Sequence, residues 1–124
     1  MANPGLIKTF TAETAVTPYR IVKHGSADTS VVMATASTDS LLGVSCQIQG
    51  DLGKRVDIVL SDIADVEYGG DITRGDWLTS DANGKAVTAA PAAGVNANCI
   101  GRAMCSGVLG DIGGCMLMGT RIQG

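Results

Sequence analysis

Aromatic side chains are almost missing from this chain: in 124 residues there are only Phe10, Tyr19, Tyr68 and Trp77. A groove that stacks successive bases of single-stranded nucleic acid needs several rings along it, so this role is excluded, and any core must be built from small aliphatic side chains. Charge is scarce too. Asp, Glu, Lys and Arg make up 17% of the residues, against about 25% in ordinary soluble domains. The net charge is −3 and the one adjacent basic pair is Lys54–Arg55, so there is no basic stripe for phosphate or anionic lipid, and neither nucleic acid nor membrane is expected as a partner. Histidine is reduced to His24, read as a turn residue before Gly25. The cysteines Cys46, Cys99, Cys105 and Cys115 contain no CxxC pair. That spacing gives neither a zinc site nor a disulfide framework, and four reduced, largely shielded thiols are expected. No apolar run approaches the roughly 18 residues of a membrane span, and the start lacks the basic-then-apolar layout of a signal peptide, so synthesis in cytoplasm is expected.

What the chain does have is glycine, 17 residues, and a 45% share of hydrophobic residues, enough for one domain with many turns. Short β-branched runs closed by turn residues predict strands at 19–23, 30–34, 42–48, 55–60, 63–68, 76–79, 85–89, 98–106 and 112–118. Thr38 to Gly43 reads as a helical turn with Ser37 or Thr38 as its cap. Asn83–Gly84, a pair favoured in tight hairpins, should join Trp77–Leu78–Thr79 to Ala86–Val87–Thr88. The fold class is therefore mostly β.

Residues 1–18, rich in Thr and Ala and bracketed by Pro4 and Pro18, read as an extended N-terminal arm, with residues 19–124 forming the β domain. Within the arm, Leu6, Ile7, Thr9, Phe10 and Thr11 combine β propensity with apolar surface. The expectation is that they are mobile in free protein and are added as a strand or strap to a partner.

No catalytic constellation is legible. The carboxylates are densest between Asp62 and Asp76, where Asp65 and Glu67 share one side of a strand; they are read as a solvated sheet face, the alternative being a small ligand-binding or enzymatic β domain built on them. Gly107 to Gly114 and Gly50 to Arg55 resemble phosphate cradles only superficially, since neither carries the spacing of a dinucleotide fingerprint or the Ser/Thr after Lys of a P-loop. Both read as turns. Arg74–Gly75–Asp76 spells an adhesion tripeptide and is read as a chance triplet at a turn. No cofactor or metal is expected.

One long stretch carries a resemblance. Glu67–Tyr68–Gly69–Gly70–Asp71–Ile72–Thr73–Arg74–Gly75–Asp76–Trp77–Leu78–Thr79 and the following Ser80–Asp81–Ala82–Asn83–Gly84–Lys85–Ala86–Val87 are similar to the capsid decoration, or cement, proteins of tailed bacteriophages. Pro91 to Ala97, Ile100 to Ala103, Gly107 and Gly110 to Gly113 continue the likeness, which spans about Tyr19 to Gly124. The resemblance implies a compact β-clip or β-tulip domain with no catalytic residues, made in the host cytoplasm and placed as a homotrimer on the outer surface of the capsid. It implies the major capsid protein as partner and stabilisation of the head as function. A fibre or tail adaptor is the alternative virion component. The four cysteines depart from the family pattern.

Overall fold

The computed structural model describes residues 3–124, in eleven strands with no helix among the described residues. They are β1 (Asn3–Pro4), β2 (Ile7–Ala12), β3 (Ile21–His24), β4 (Ser30–Met33), β5 (Leu41–Ser45), β6 (Arg55–Val59), β7 (Asp62–Glu67), β8 (Trp77–Ser80), β9 (Ala86–Thr88), β10 (Asn96–Ala103) and β11 (Ile112–Gln123). They form two units: a closed barrel ordered β2-β4-β3-β5-β6 and a six-stranded sheet ordered β1-β7-β11-β10-β8-β9. Each of the nine predicted strands is present, with ends shifted by a few residues.

The barrel is lined by Phe10, Ala12, Val16, Val22, Val31, Val56 and Ile58. One ring among β-branched and small residues fills a five-stranded bore, which follows from the scarcity of aromatics. The second core lies between barrel and sheet: Ile21, Val44 and Val59 from the outer side of the barrel meet Val66, Tyr68, Leu78, Ile100 and Cys115. The sheet is curled so far that Ala86, at the start of β9, bridges to Tyr68 just beyond β7.

Three expectations are corrected. The segment read as an extended arm is, where described, part of both units. Asn3–Pro4 pairs with β7, and β2 lies between β6, antiparallel, and β4, parallel. The rest of the arm, at Val16, pairs with Gly50; Met1 and Ala2 lie outside the described residues. The physical reason is barrel closure: four strands would leave an open edge, and β2 satisfies it from both sides while burying Phe10 and Ala12. The helical turn expected at Thr38 to Gly43 is a non-helical turn ending in β5, because Asp39 itself caps the preceding chain, accepting from Thr35 N at 2.8 Å and Ala36 N at 3.1 Å. The hairpin at Asn83–Gly84 has the predicted arms but a longer loop, in which Asp81 Oδ1 accepts from Asn83 N and Lys85 N.

Candidate functional site

The acidic stretch Asp62 to Asp76 comes apart in three dimensions. Asp62 and Asp71 are exposed. Asp76 is turned into its own loop, where its carboxylate accepts from Thr73 N at 2.9 Å and Thr88 Oγ1 at 3.0 Å. These two bonds engage the aspartate of the Arg74–Gly75–Asp76 triplet within its own domain. Glu67 is the hub of an ion-pair cluster: its two oxygens meet Arg20 at 3.3 Å and Lys85 at 3.2 Å. Burial alone would raise its carboxyl, but the hydrogen bond from Lys85 and the field and hydrogen bond of Arg20 hold it below its ordinary value. Glu67 therefore stays ionised and fastens three segments: the β7 end, the barrel at Arg20 and the β8–β9 loop at Lys85. Among the described residues no group of three His, Cys, Asp or Glu is arranged to hold a metal.

The seam between barrel and sheet contains a cleft of about 260 Å³ lined by Pro4, Tyr19, Ser45, Cys46, Gln47, Val59 and Asp65. It holds no activated nucleophile. The Ser45 hydroxyl donates to Thr17 O at 2.8 Å and accepts from Arg20 N at 3.0 Å, so it serves the backbone. Burial, with the charge of Asp57 behind it, pushes the Cys46 thiol up. A thiol kept protonated is a poor attacking group.

The other thiols divide. Cys99 and Cys115 are buried, and burial pushes Cys115 up to about 12. Cys105 is exposed, and Cys46 is half-buried, which corrects the expectation that all four are shielded. Cys105 stands just past β10, where the chain leaves the sheet and runs over the Tyr68 hydroxyl, which donates to Cys105 O at 2.8 Å. Burial, with that bond behind it, pushes the Tyr68 phenol up. Gly113 packs so tightly on Tyr68 that an added Cβ would overlap the phenol, which explains the glycine at that point of β11. His24 ends β3 with its ring edge-on to Phe10, centroids 6.0 Å apart.

Of the five residues proposed from the sequence to touch a partner, four are at the surface. Leu6 is 59% exposed and Ile7 44%, while Thr9 and Thr11 point outward from β2. Thr9 Oγ1 donates to Asp57 Oδ1 at 2.7 Å across the β2–β6 pair. Phe10 is 5% exposed and faces the bore, so it holds the strand in place and is no part of that surface. Sequence reasoning missed the Arg20–Glu67–Lys85 cluster, whose members lie far apart in the chain; only the fold brings them together.

The comparisons with known proteins point one way. Among curated proteins, none matches the chain. Among solved structures, the chain is similar in fold to the N base of the head fibre gp8.5 of bacteriophage phi29, at TM-score 0.68 and 22% identity, over 91% of this chain and 93% of that one. The model of the phage cement protein family matches residues 2–109. Matched by this model over most of its length, the chain is a structural phage protein and belongs to the phage cement protein family.

Proposed function

We propose that this protein binds the outer surface of the assembled capsid, with the major capsid protein as its partner, and reinforces the head in groups of three copies. The family match over residues 2–109 is the observation that carries this reading. The mechanism is mass action: a ligand that binds only the intact lattice raises the free energy needed to open it, and many copies act together. No cofactor takes part.

The shell-facing surface is the outward side of the N-terminal segment, Leu6, Ile7, Thr9 and Thr11. Two exposed aliphatic side chains stand there beside a row of threonines, on a strand already fixed by β4 and β6. Docking a prepaired strand avoids the roughly 1–2 kcal/mol per residue that ordering a loose arm requires. Leu6 and Ile7 are already partly covered, so burying what remains exposed would contribute about 1 kcal/mol each.

Cosedimentation with purified expanded heads tests the proposal. Wild-type protein is expected to pellet with heads, and Leu6→Ser with Ile7→Ser to remain in the supernatant while keeping its fold. A double variant that pellets as well as wild type removes this surface, and a wild-type protein that ignores heads removes the reading. The likeness in fold to a head-fibre base supports a second reading, in which the domain seats a further virion element. Recovery with fibres or tails in place of heads would establish that one.

A further inference from the structure

We propose that Asn83–Gly84, at the tip of the β8–β9 hairpin, is a site of self-modification: the fold promotes loss of the Asn83 side-chain amide, and the product loosens the hairpin from the barrel.

Deamidation begins when the backbone nitrogen of the next residue attacks the asparagine side-chain carbon, so it is fastest where that next residue has no side chain in the way. Asn83 is the one asparagine followed by glycine; Asn3 precedes Pro4, which has no N–H, and Asn96 and Asn98 precede Ala97 and Cys99. The structure separates them further. The Asn98 amide is tied at both ends, its nitrogen donating to Asp39 O at 2.9 Å and its oxygen accepting from Arg121 Nε at 3.0 Å. Asn83 is exposed, and among the described residues its side-chain amide makes no hydrogen bond.

The attack also requires a Gly84 nitrogen that is free and acidic. Its N–H reaches Asp81 O only at 3.5 Å, beyond the usual range of such a bond, because Asp81 closes the loop through Asn83 N and Lys85 N instead. Arg20 supplies the acidity. Its Nη1 donates to the backbone oxygen of Asn83 at 3.0 Å, and that oxygen belongs to the same peptide unit as the Gly84 nitrogen. As the nitrogen gives up its proton, negative charge spreads onto an oxygen already facing a guanidinium. Glu67 holds the guanidinium there from its other side, at 3.3 Å.

The bond from Gly84 N to Asn83 Cγ forms, the Cγ–Nδ2 bond breaks, and the displaced proton leaves with the amide nitrogen as ammonia, which closes a cyclic succinimide. Water then adds to one of its two carbonyls. Opening at Cγ restores the chain with a carboxylate side chain, whereas opening at the backbone carbon sends the chain through Cγ and lengthens it by one carbon. The tip has no room for the longer, isoaspartyl form. Gly84 O accepts from Ile21 N at 2.8 Å, and a Cβ on Gly84 would stand 2.9 Å from Ile21 O. An added carbon just before Gly84 displaces this contact with β3 and the Arg20 bond beside it.

Full-length protein is incubated at mildly alkaline pH, folded and in urea, and peptides containing position 83 are resolved by chromatography and mass spectrometry, with isoaspartyl methyltransferase labelling as a second readout. In the fold, Asn83 should be modified at least as fast as in urea, and faster than any other asparagine. Arg20→Gln should slow the folded rate about fivefold and leave the rate in urea unchanged, and Arg20→Lys should restore part of it. The urea midpoint of aged wild type should fall as isoaspartyl accumulates, while Asn83→Ala keeps its midpoint through the same incubation. Fresh Asn83→Asp, which has the charge without the added carbon, should match fresh wild type. The inference is overturned if the folded chain keeps its amide while the unfolded chain loses it, if Arg20→Gln folds and is modified as fast as wild type, or if isoaspartyl accumulates with the midpoint unmoved. Should Arg20→Gln fail to fold, the comparison of folded and unfolded wild type decides alone.

Discussion

The two units of this molecule solve the same problem, satisfying strand edges, in opposite ways. The barrel closes on itself, so all five of its strands are paired on both sides, and its outward residues on β2 are two threonines, a lysine and Ile7. The six-stranded sheet stays open. Its β11 is paired with β10 as far as Gln123 but with β7 only from Ile112 to Leu117, and its outer face carries Trp, Met and Ile. Closure makes a stable body with a polar skin, while openness leaves edges and apolar surface for contact. A protein proposed to clamp a shell needs both.

The comparison breaks most severely at Phe10. Its ring is the one aromatic in the barrel core, and Phe10→Ala should lower stability by about 3–5 kcal/mol, measured by urea unfolding. Because Ile21, Val44 and Val59 of the barrel also belong to the core shared with the sheet, a single transition is expected. Two separated transitions would show that the units fold independently and that the shared core couples them weakly.

The sheet unit is probed next at Tyr68, its only buried ring. Tyr68→Phe keeps the packing and removes the donor to Cys105 O, leaving a partly buried carbonyl unpaired, at a cost of about 2 kcal/mol. The effect should concentrate in the segment after β10, seen as faster labelling of Cys105 by a thiol reagent.

Much of this was legible in the sequence, and the part that was not has a common cause. The β-branched runs and glycine punctuation placed nine strands because local pattern determines them. Ile7 to Ala12 has the same alternation, yet its partners are 55–59 and 30–31, far along the chain, and nothing local separates a strand that closes its own barrel from one awaiting a partner. Phe10 was thus grouped with the surface residues beside it. The Glu67 cluster was hidden for the same reason, since Arg20 and Lys85 reach it from 47 residues before and 18 after. The carboxylates suggested a site by density in sequence, whereas strand and turn geometry sends each in a different direction.

The join between the units is sharpened by Glu67→Gln. Its carboxyl is held below the ordinary value of 4.5 in the fold, so its contribution is present in full above that value and is lost as pH falls through the lowered one. At neutral pH the variant should be less stable by about 1 kcal/mol, the scale of a partly solvated ion-pair cluster. The difference from wild type should shrink towards zero as acid unfolding is followed below pH 4.5. A gap that stays constant with pH would mean that shape, not charge, fastens the units at this point.

The smallest effect is expected on the skin of the barrel, at Thr9→Val. The hydroxyl donates to Asp57 at 2.7 Å, but both groups are exposed, so water takes over the lost bond and stability should change by less than about 0.5 kcal/mol. Valine preserves the β-branched shape and the strand preference, so β2 keeps its register against β6. Such a substitution separates folding from contact. If the threonine row meets the shell through its hydroxyls, Thr9→Val should pellet less efficiently with heads while its urea midpoint is unchanged. An unchanged pellet with an unchanged midpoint would place the contact on Leu6 and Ile7 alone, and a large fall in the midpoint would show that the barrel depends on its skin as well as on Phe10.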